Sequence, residues 1–442
     1  MKNIIIIFIF IFILLLNNKL LAENNAASTT YSDIKGISLF VGQNDYIDFI
    51  RSKLFEQPEF RYAVSLSSEQ EFNLKFAKRN RFPTISGSII NDESIERNIK
   101  DTSSVRKRRD DSFDANLEIR QPIYTGGSIN ALIRSAKSKA SNSSLRKQEV
   151  ISDLILEANK TYLQSAGMSF ISNYAENLLA ILRPYKEKVN DRVSAGIVDP
   201  VESALFFVKY SQLETFVYQL KSAAEKSDNN YSLFFKTEAI KLAFPKIEVD
   251  LNKIDLLKKS YAVESSEYAY LEKKENIISV RSEYLPKFGI SARYTKYDID
   301  DDSNEDDIRG GLYLSTPIFN FGRGSAKINA AKVAAEGQKS YIDVERKNDG
   351  INESRILSDL NNSLKNREIF IKSYQDTLKQ RKAIENRIEL SGFAVNALAE
   401  VILNEISQLD NLLNNESSIA QGYLMALHQN QQLNQTFKLG IN

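Results

Sequence analysis

Carboxylates carry whatever chemistry this sequence can do. Its 442 residues include no cysteine and one histidine, which excludes disulfides, thiolate catalysis and Cys-based zinc or iron–sulfur sites. His428 stands alone near the end of the chain and reads as structural or solvent-exposed. Glu202, Glu400 and Glu405 lie just beyond two tight turns between long helical stretches. A carboxylate on such a helix is by default solvated charge. Repeated around a symmetry axis, it becomes a ring that favours cations and opposes anions. These three acids are therefore candidate aperture residues.

Other charged motifs read as loops or turns. Lys and Arg total 58 against 57 Asp and Glu, a net charge of +1, so the chain has no overall attraction to nucleic acid. Arg106–Arg109 is basic, but it falls between two expected strands and reads as an exposed loop. Asp298, Asp300 and Asp302 begin like a calcium loop, yet Ser303 stands where the glycine belongs and Arg309 where the glutamate belongs. Gly322–Lys327 lacks the spacing of a phosphate-binding loop. No metal site, cofactor site or catalytic constellation is expected, and the chain does not read as an enzyme.

The elements that position these residues begin with the N-terminus. Lys2 precedes an apolar run from Ile4 to Leu16, and Ala22 offers a small residue for cleavage. The run is too short to span a bilayer and fits a secretory signal at 1–22; a retained anchor is the competing reading. No cysteine follows it to carry a lipid. No later stretch approaches 18 apolar residues, so any membrane insertion must use strands.

Only 17 Gly and 8 Pro interrupt the chain, so long elements are expected. Stretches at 128–190, 200–236, 250–284, 325–387 and 395–437 carry apolar residues at three- and four-residue spacing. Ile151, Leu154, Ile155, Ala158, Tyr162 and Ala166 form one such stripe. Period-two alternation marks strands at 83–91, 112–122, 286–297 and 308–318, each of bilayer-spanning length; a soluble two-hairpin sheet is the alternative. The chain also repeats. Gln121–Gly127 matches Thr316–Gly322 and Arg192 matches Arg387 at an offset of 195, and Ser211–Glu214 matches Ser407–Asp410 at 196. This divides the chain into repeats at 23–235 and 250–442, joined by a linker at 236–250.

The expected fold is mainly α with a small β part. Long α-helical hairpins form an α-barrel, and four strands per chain enter a transmembrane β-barrel. Four strands leave two open edges, which cannot face lipid. Eight strands would enclose only side chains, whereas a trimer gives twelve strands and an open lumen.

These residues resemble the TolC-type outer-membrane channels of tripartite efflux pumps and type I secretion systems. The resemblance covers nearly the whole mature chain. It rests on the strand-ending prolines with following glycines (Pro122 with Gly126 and Gly127, Pro317 with Gly322), on Arg192–Glu202 and on its repeat from Arg387. Leu54–Arg61 and Arg81–Pro83 are similar to the segments leading into the family's first strand. The resemblance implies a homotrimer in the outer membrane, extending into the periplasm. It also implies contact with lipid, with a periplasmic adaptor (membrane fusion protein) and with an inner-membrane ABC or RND transporter. It makes Arg192, Gly196, Ile197, Arg387, Gly392 and Phe393 candidate adaptor contacts at the tip. Gly196 reaches Glu202 in six residues as the family pattern requires, whereas Gly392 reaches Leu398, so the second constriction is left to Glu400 or Glu405. The alternatives are a periplasmic coiled-coil or adhesive protein without channel activity, and an exported carboxylate hydrolase, which the absence of Trp disfavours.

Overall fold

A computed structural model describes residues 43–93, 95, 111–197, 200–240, 242–245, 249–254, 258–300, 305–391 and 395–439. The signal segment, Arg106–Arg109, Asp199, Asp301–Asn304 and Gly392–Ala394 lie outside the described residues. The elements run α1 (Gln43–Leu54), α2 (Pro58–Arg79), β1 (Thr84–Glu93), β2 (Asp111–Tyr124), α3 (Ser128–Ser194), α4 (Pro200–Phe235), α5 (Tyr261–Ser282), β3 (Lys287–Lys296), β4 (Asp306–Ser315), α6 (Arg323–Ser391), α7 (Val395–Gln429) and a short α8 (Leu433–Thr436). The chain divides into two compact units. One takes residues 1–53, 155–254 and 356–426, the other 54–154, 255–355 and 427–442. Each draws on both halves of the chain, and α3 and α6 contribute to both units.

α3, α4 and α6 run close to the bounds that the periodicity gives them. α3 and α6 have 67 and 69 residues, α4 and α7 have 36 and 35; at 1.5 Å per residue the longer pair measure about 100 Å each. In the first unit the stripe of α3 is buried, with Ile151's successors Ile155, Leu163, Ile171 and Leu182 fully inaccessible, each contributing about 2 kcal/mol over exposure. An aromatic knot seats α1 there. The Tyr46 and Tyr162 rings lie 5.0 Å apart, Phe49 and Phe235 5.3 Å, and Tyr231 and Phe235 4.5 Å. The buried Tyr46 hydroxyl donates to Asn159 Oδ1 at 2.6 Å.

Four elements depart from the sequence pattern. The last long helix, expected over 395–437, ends at Gln429, and the short α8 follows it at Leu433–Thr436. The helix expected from 250 begins at Tyr261, where Ser260 accepts from the Val263 N–H and caps it; before it, Leu251–Lys253 is a single 3₁₀ turn. The last strand runs 306–315 rather than 308–318, so Thr316, Pro317 and Ile318 lie beyond it, Pro317 having no N–H for a ladder. Pro122 does not end its strand either. β2 continues to Tyr124 through an irregularity between Pro122 and Tyr124, the position in a sheet where a proline is tolerated.

The second unit holds one antiparallel sheet in the order β1-β2-β3-β4, so β1 and β4 are edges. Its register sorts the side chains by face. Gly87, Leu117, Tyr294 and Ile308 share one row, and Ile85, Ile119, Ala292 and Gly310 another. On the opposite face Ser86, Glu118, Arg293 and Arg309 share a row. The apolar face is uncovered: Ile85, Ile89, Ile308, Leu312 and Leu314 are all more than 60% exposed. Among the described residues no helix is long and apolar enough to cross a membrane.

Candidate functional site

The strand-to-helix junctions are built on left-handed glycines. Gly126 and Gly127 sit at φ +64° and +89°, and Gly322 at +80°, conformations that cost other L-residues about 1–2 kcal/mol. At Gly126 there is a steric reason as well: a Cβ would meet Leu285 Cβ at 2.9 Å and the Ser282 carbonyl at 3.1 Å. The turn out of β2 thus packs directly on the end of α5. Gly322 meets only Ser325, at 3.9 Å.

The polar face of the sheet carries a charge cluster. Glu118 accepts from Arg120 Nε at 3.0 Å and from Arg293 across the strands at 3.4 Å, while Arg309 donates to Asp307 at 2.5 Å. A sheet with one apolar and one charged face is suited to separating a low-dielectric medium from water.

At its C-terminal end, α3 closes in a hydrogen-bonded motif that gives Arg192 and Gly196 a structural role. Gly196 is left-handed (φ +69°); its N–H donates to the Val193 carbonyl and the Ile197 N–H to the Arg192 carbonyl, both at 3.0 Å. That 6→1 and 5→2 pair is a Schellman cap. Ile197 projects beyond it, 74% exposed. Arg387 lies on exposed helix near the end of α6; Gly392 and Phe393 lie outside the described residues.

Glu202 and Glu400 occupy the first two turns of α4 and α7. The structure brings these turns together: Asn396 Nδ2 donates to the Glu202 carbonyl at 3.2 Å. Glu400 is 68% exposed, with Lys209 at 3.9 Å, a loose surface pair worth at most about 1 kcal/mol. Both acids are open to solvent.

Glu405 corrects the sequence-based grouping. It is fully buried, accepting from Arg381 Nε at 2.6 Å and from the Tyr174 hydroxyl, which also accepts from Tyr374 at 3.2 Å. Arg381 further donates to Glu385 at 2.7 Å. Burial and its bond to Glu405 push the Tyr174 phenol far above its ordinary range. Burial opposes the charge on Arg381, but the hydrogen bonds to Glu405 and Glu385 outweigh it and raise its pKa. Glu405 is spent on joining α3, α6 and α7, so it does not face water. A second buried pair, Arg367 to Glu416 at 2.7 Å, joins α6 to α7. The sequence holds a signal for the first pair: Arg381 and Glu405 are equidistant from position 393, so a tight turn there makes them neighbours across the hairpin.

His428 is mostly buried rather than exposed. Its Nδ1 lies 2.8 Å from Ser152 Oγ and its Nε2 3.6 Å from Asp153, beside a cavity of about 180 Å³ lined by Glu149, Tyr261, Asp349 and Asn352. Burial lowers the imidazole pKa, with Asp153 acting weakly the other way. Among the described residues no group of three or more metal-type ligands is assembled.

No family model and no curated protein matches the sequence. Solved structures match its fold along most of the chain. The Campylobacter jejuni CmeC outer membrane channel aligns at a TM-score of 0.75 and 13% identity, over 88% of this chain and 86% of that one. The outer-membrane channel OprN aligns at 0.70 and 15%, over 90% and 93%. The open state of the Neisseria gonorrhoeae MtrE outer membrane channel aligns at 0.62 and 15%, over 88% and 89%. The long helical hairpins and four-stranded sheet are the TolC-type fold that these channels share.

Proposed function

We propose that this chain is one third of an outer-membrane exit duct. Three copies close their sheets edge to edge into a twelve-stranded barrel, and their helices continue as a conduit in the periplasm. One observation carries the reading: a four-stranded sheet with two unpaired edges, an uncovered apolar face and a charged opposite face. Open edges cannot face lipid, and closure with copies satisfies them while setting Glu118, Arg293 and Arg309 around water. The fold shared with outer membrane channels such as CmeC and MtrE supports the same reading.

The duct is passive and belongs to a tripartite efflux pump or a type I secretion system. An inner-membrane ABC or RND transporter delivers the cargo, and a periplasmic adaptor engages the tip around Arg192, Gly196, Ile197, Arg387, Gly392 and Phe393. Glu202 and Glu400 ring the aperture. The matched helix lengths of the two halves support descent from a tandem duplication, with repeats at 23–235 and 250–442.

Detergent-extracted protein should have the mass of a trimer by light scattering corrected for detergent, and should conduct ions in planar bilayers. A stable monomer with full strand content would overturn the barrel. A trimer without conductance would favour the structural, non-channel alternative.

A further inference from the structure

The charged face of the sheet is sorted by sign along its strands. Successive rows on this face lie about 7 Å apart, two residues of rise. Toward the loops the rows hold Asp92, Asp114 and Asp307, and no cation among the described residues. Toward the helices they hold Arg293 and Arg309 in one row, Arg120 in the next and Lys287 beyond, with Glu118 the one carboxylate among them. Four cations against one carboxylate leave each copy three positive charges in excess on the helical side. At a Debye length of about 8 Å, the acids screen the nearest of these rows and reach the others little.

Two features point to a ligand. Arg293 and Arg309 are direct cross-strand partners, and like charges so placed cost a sheet stability. The ion pairs around them do not account for the cations. Arg120 and Arg293 share Glu118 at 3.0 and 3.4 Å, Arg309 meets Asp307 at 2.5 Å, and all three arginine side chains are more than half exposed. Such pairs contribute at most about 1 kcal/mol each. Arg120 and Arg309 are held through Nε, which leaves the terminal N–H groups that grip a carboxylate or phosphate by paired hydrogen bonds. There is room beside them. Apart from Glu118, the rest of these two rows is Thr84, Ser86, Ser291 and Gly311, and a Cβ on Gly311 would meet nothing within 4 Å.

We infer that these arginines, with Lys287, form an anion-binding belt inside the barrel, and that the duct takes cargo carrying carboxylate, phosphate or sulfate groups. This rests on the edge-to-edge closure proposed above, which turns the charged face to the lumen and repeats the belt three times around one axis. A multivalent anion on that axis meets guanidinium groups from more than one copy. The belt is opposite in sign to the aperture proposed at Glu202 and Glu400, which lie on α4 and α7 outside the sheet. Anion binding and cation preference therefore rest on separate residues and can be removed one at a time.

Planar-bilayer recordings of the full-length trimer at low salt test the belt, with inorganic tripolyphosphate and citrate as probes. Both should block the wild-type current, and the triple variant Arg120→Gln, Arg293→Gln, Arg309→Gln should need about tenfold more of either, a change of about 1.4 kcal/mol. Block by a trivalent cation should be the same in wild type and triple variant. Glu118→Gln keeps every arginine and removes the one carboxylate among them, so it should strengthen anion block about threefold; it carries the test if the triple variant does not assemble. A conducting wild-type trimer that neither anion blocks, or anion block that is equal in wild type and both variants, would overturn the belt and leave the duct standing. A triple variant that loses cation and anion block together would trace the effect to a general change in the pore and overturn the belt as well. A wild-type chain without trimer or conductance would remove the duct, and the belt with it.

Discussion

Arg381 and Glu405 meet at 2.6 Å with the carboxylate wholly excluded from solvent, a buried charge pair joining α6 to α7. Removing one partner leaves the other buried and uncompensated. Glu405→Ala is expected to cost about 3–5 kcal/mol, read as a lower thermal unfolding midpoint by circular dichroism in detergent. Tyr174→Phe removes a single neutral donor and should cost only about 1–2 kcal/mol. Equal losses in the two variants would show that the ion pair is not the strong member of the cluster.

The junction glycines separate backbone strain from collision. Gly322→Ala should cost about 1–2 kcal/mol for the left-handed conformation alone. Gly126→Ala adds the contacts with Leu285 and Ser282, so its unfolding midpoint should fall further. Gly126→Ala no worse than Gly322→Ala would mean that the end of α5 yields freely.

His428 should make stability pH-dependent. Its folded pKa lies below the ordinary value of 6.5 because of burial, so the unfolded chain binds a proton first. This term is fully favourable above about pH 6.5 and is lost as pH falls toward the folded pKa. Asp153 is raised by burial and gains stability as it protonates, at lower pH. His428→Gln should therefore flatten the fall in unfolding midpoint between about pH 7 and 5. An unchanged slope would place the titration elsewhere.

The aperture role proposed for Glu202 and Glu400 predicts selectivity. Glu202→Ala or Glu400→Ala should reduce cation preference and block by multivalent cations in planar bilayers, with little change in trimer stability because both acids are exposed. The double variant should be nearly unselective at this constriction. Wild-type selectivity in the double variant would make both acids ordinary surface charge.

Local patterns were enough to find the elements. Period-two runs such as Phe113–Ile119 and stripes such as Ile151–Ala166 report their own secondary structure, because alternation and 3.6-residue periodicity arise from backbone geometry alone. Gly126, Gly127, Gly196 and Gly322 stand out in the sequence only as motif positions; that all four are left-handed is seen in the structure. Pro122 was misjudged as a strand end because a bulge is a property of two strands, not one. Exposure needed the tertiary structure. Glu202, Glu400 and Glu405 look alike in sequence, three acids on polar helix stretches. Packing left the first two in water and put the third between Tyr174 and Arg381. The burial of a charge depends on partners 231 residues away in the chain, and only the fold brings such partners within hydrogen-bonding distance.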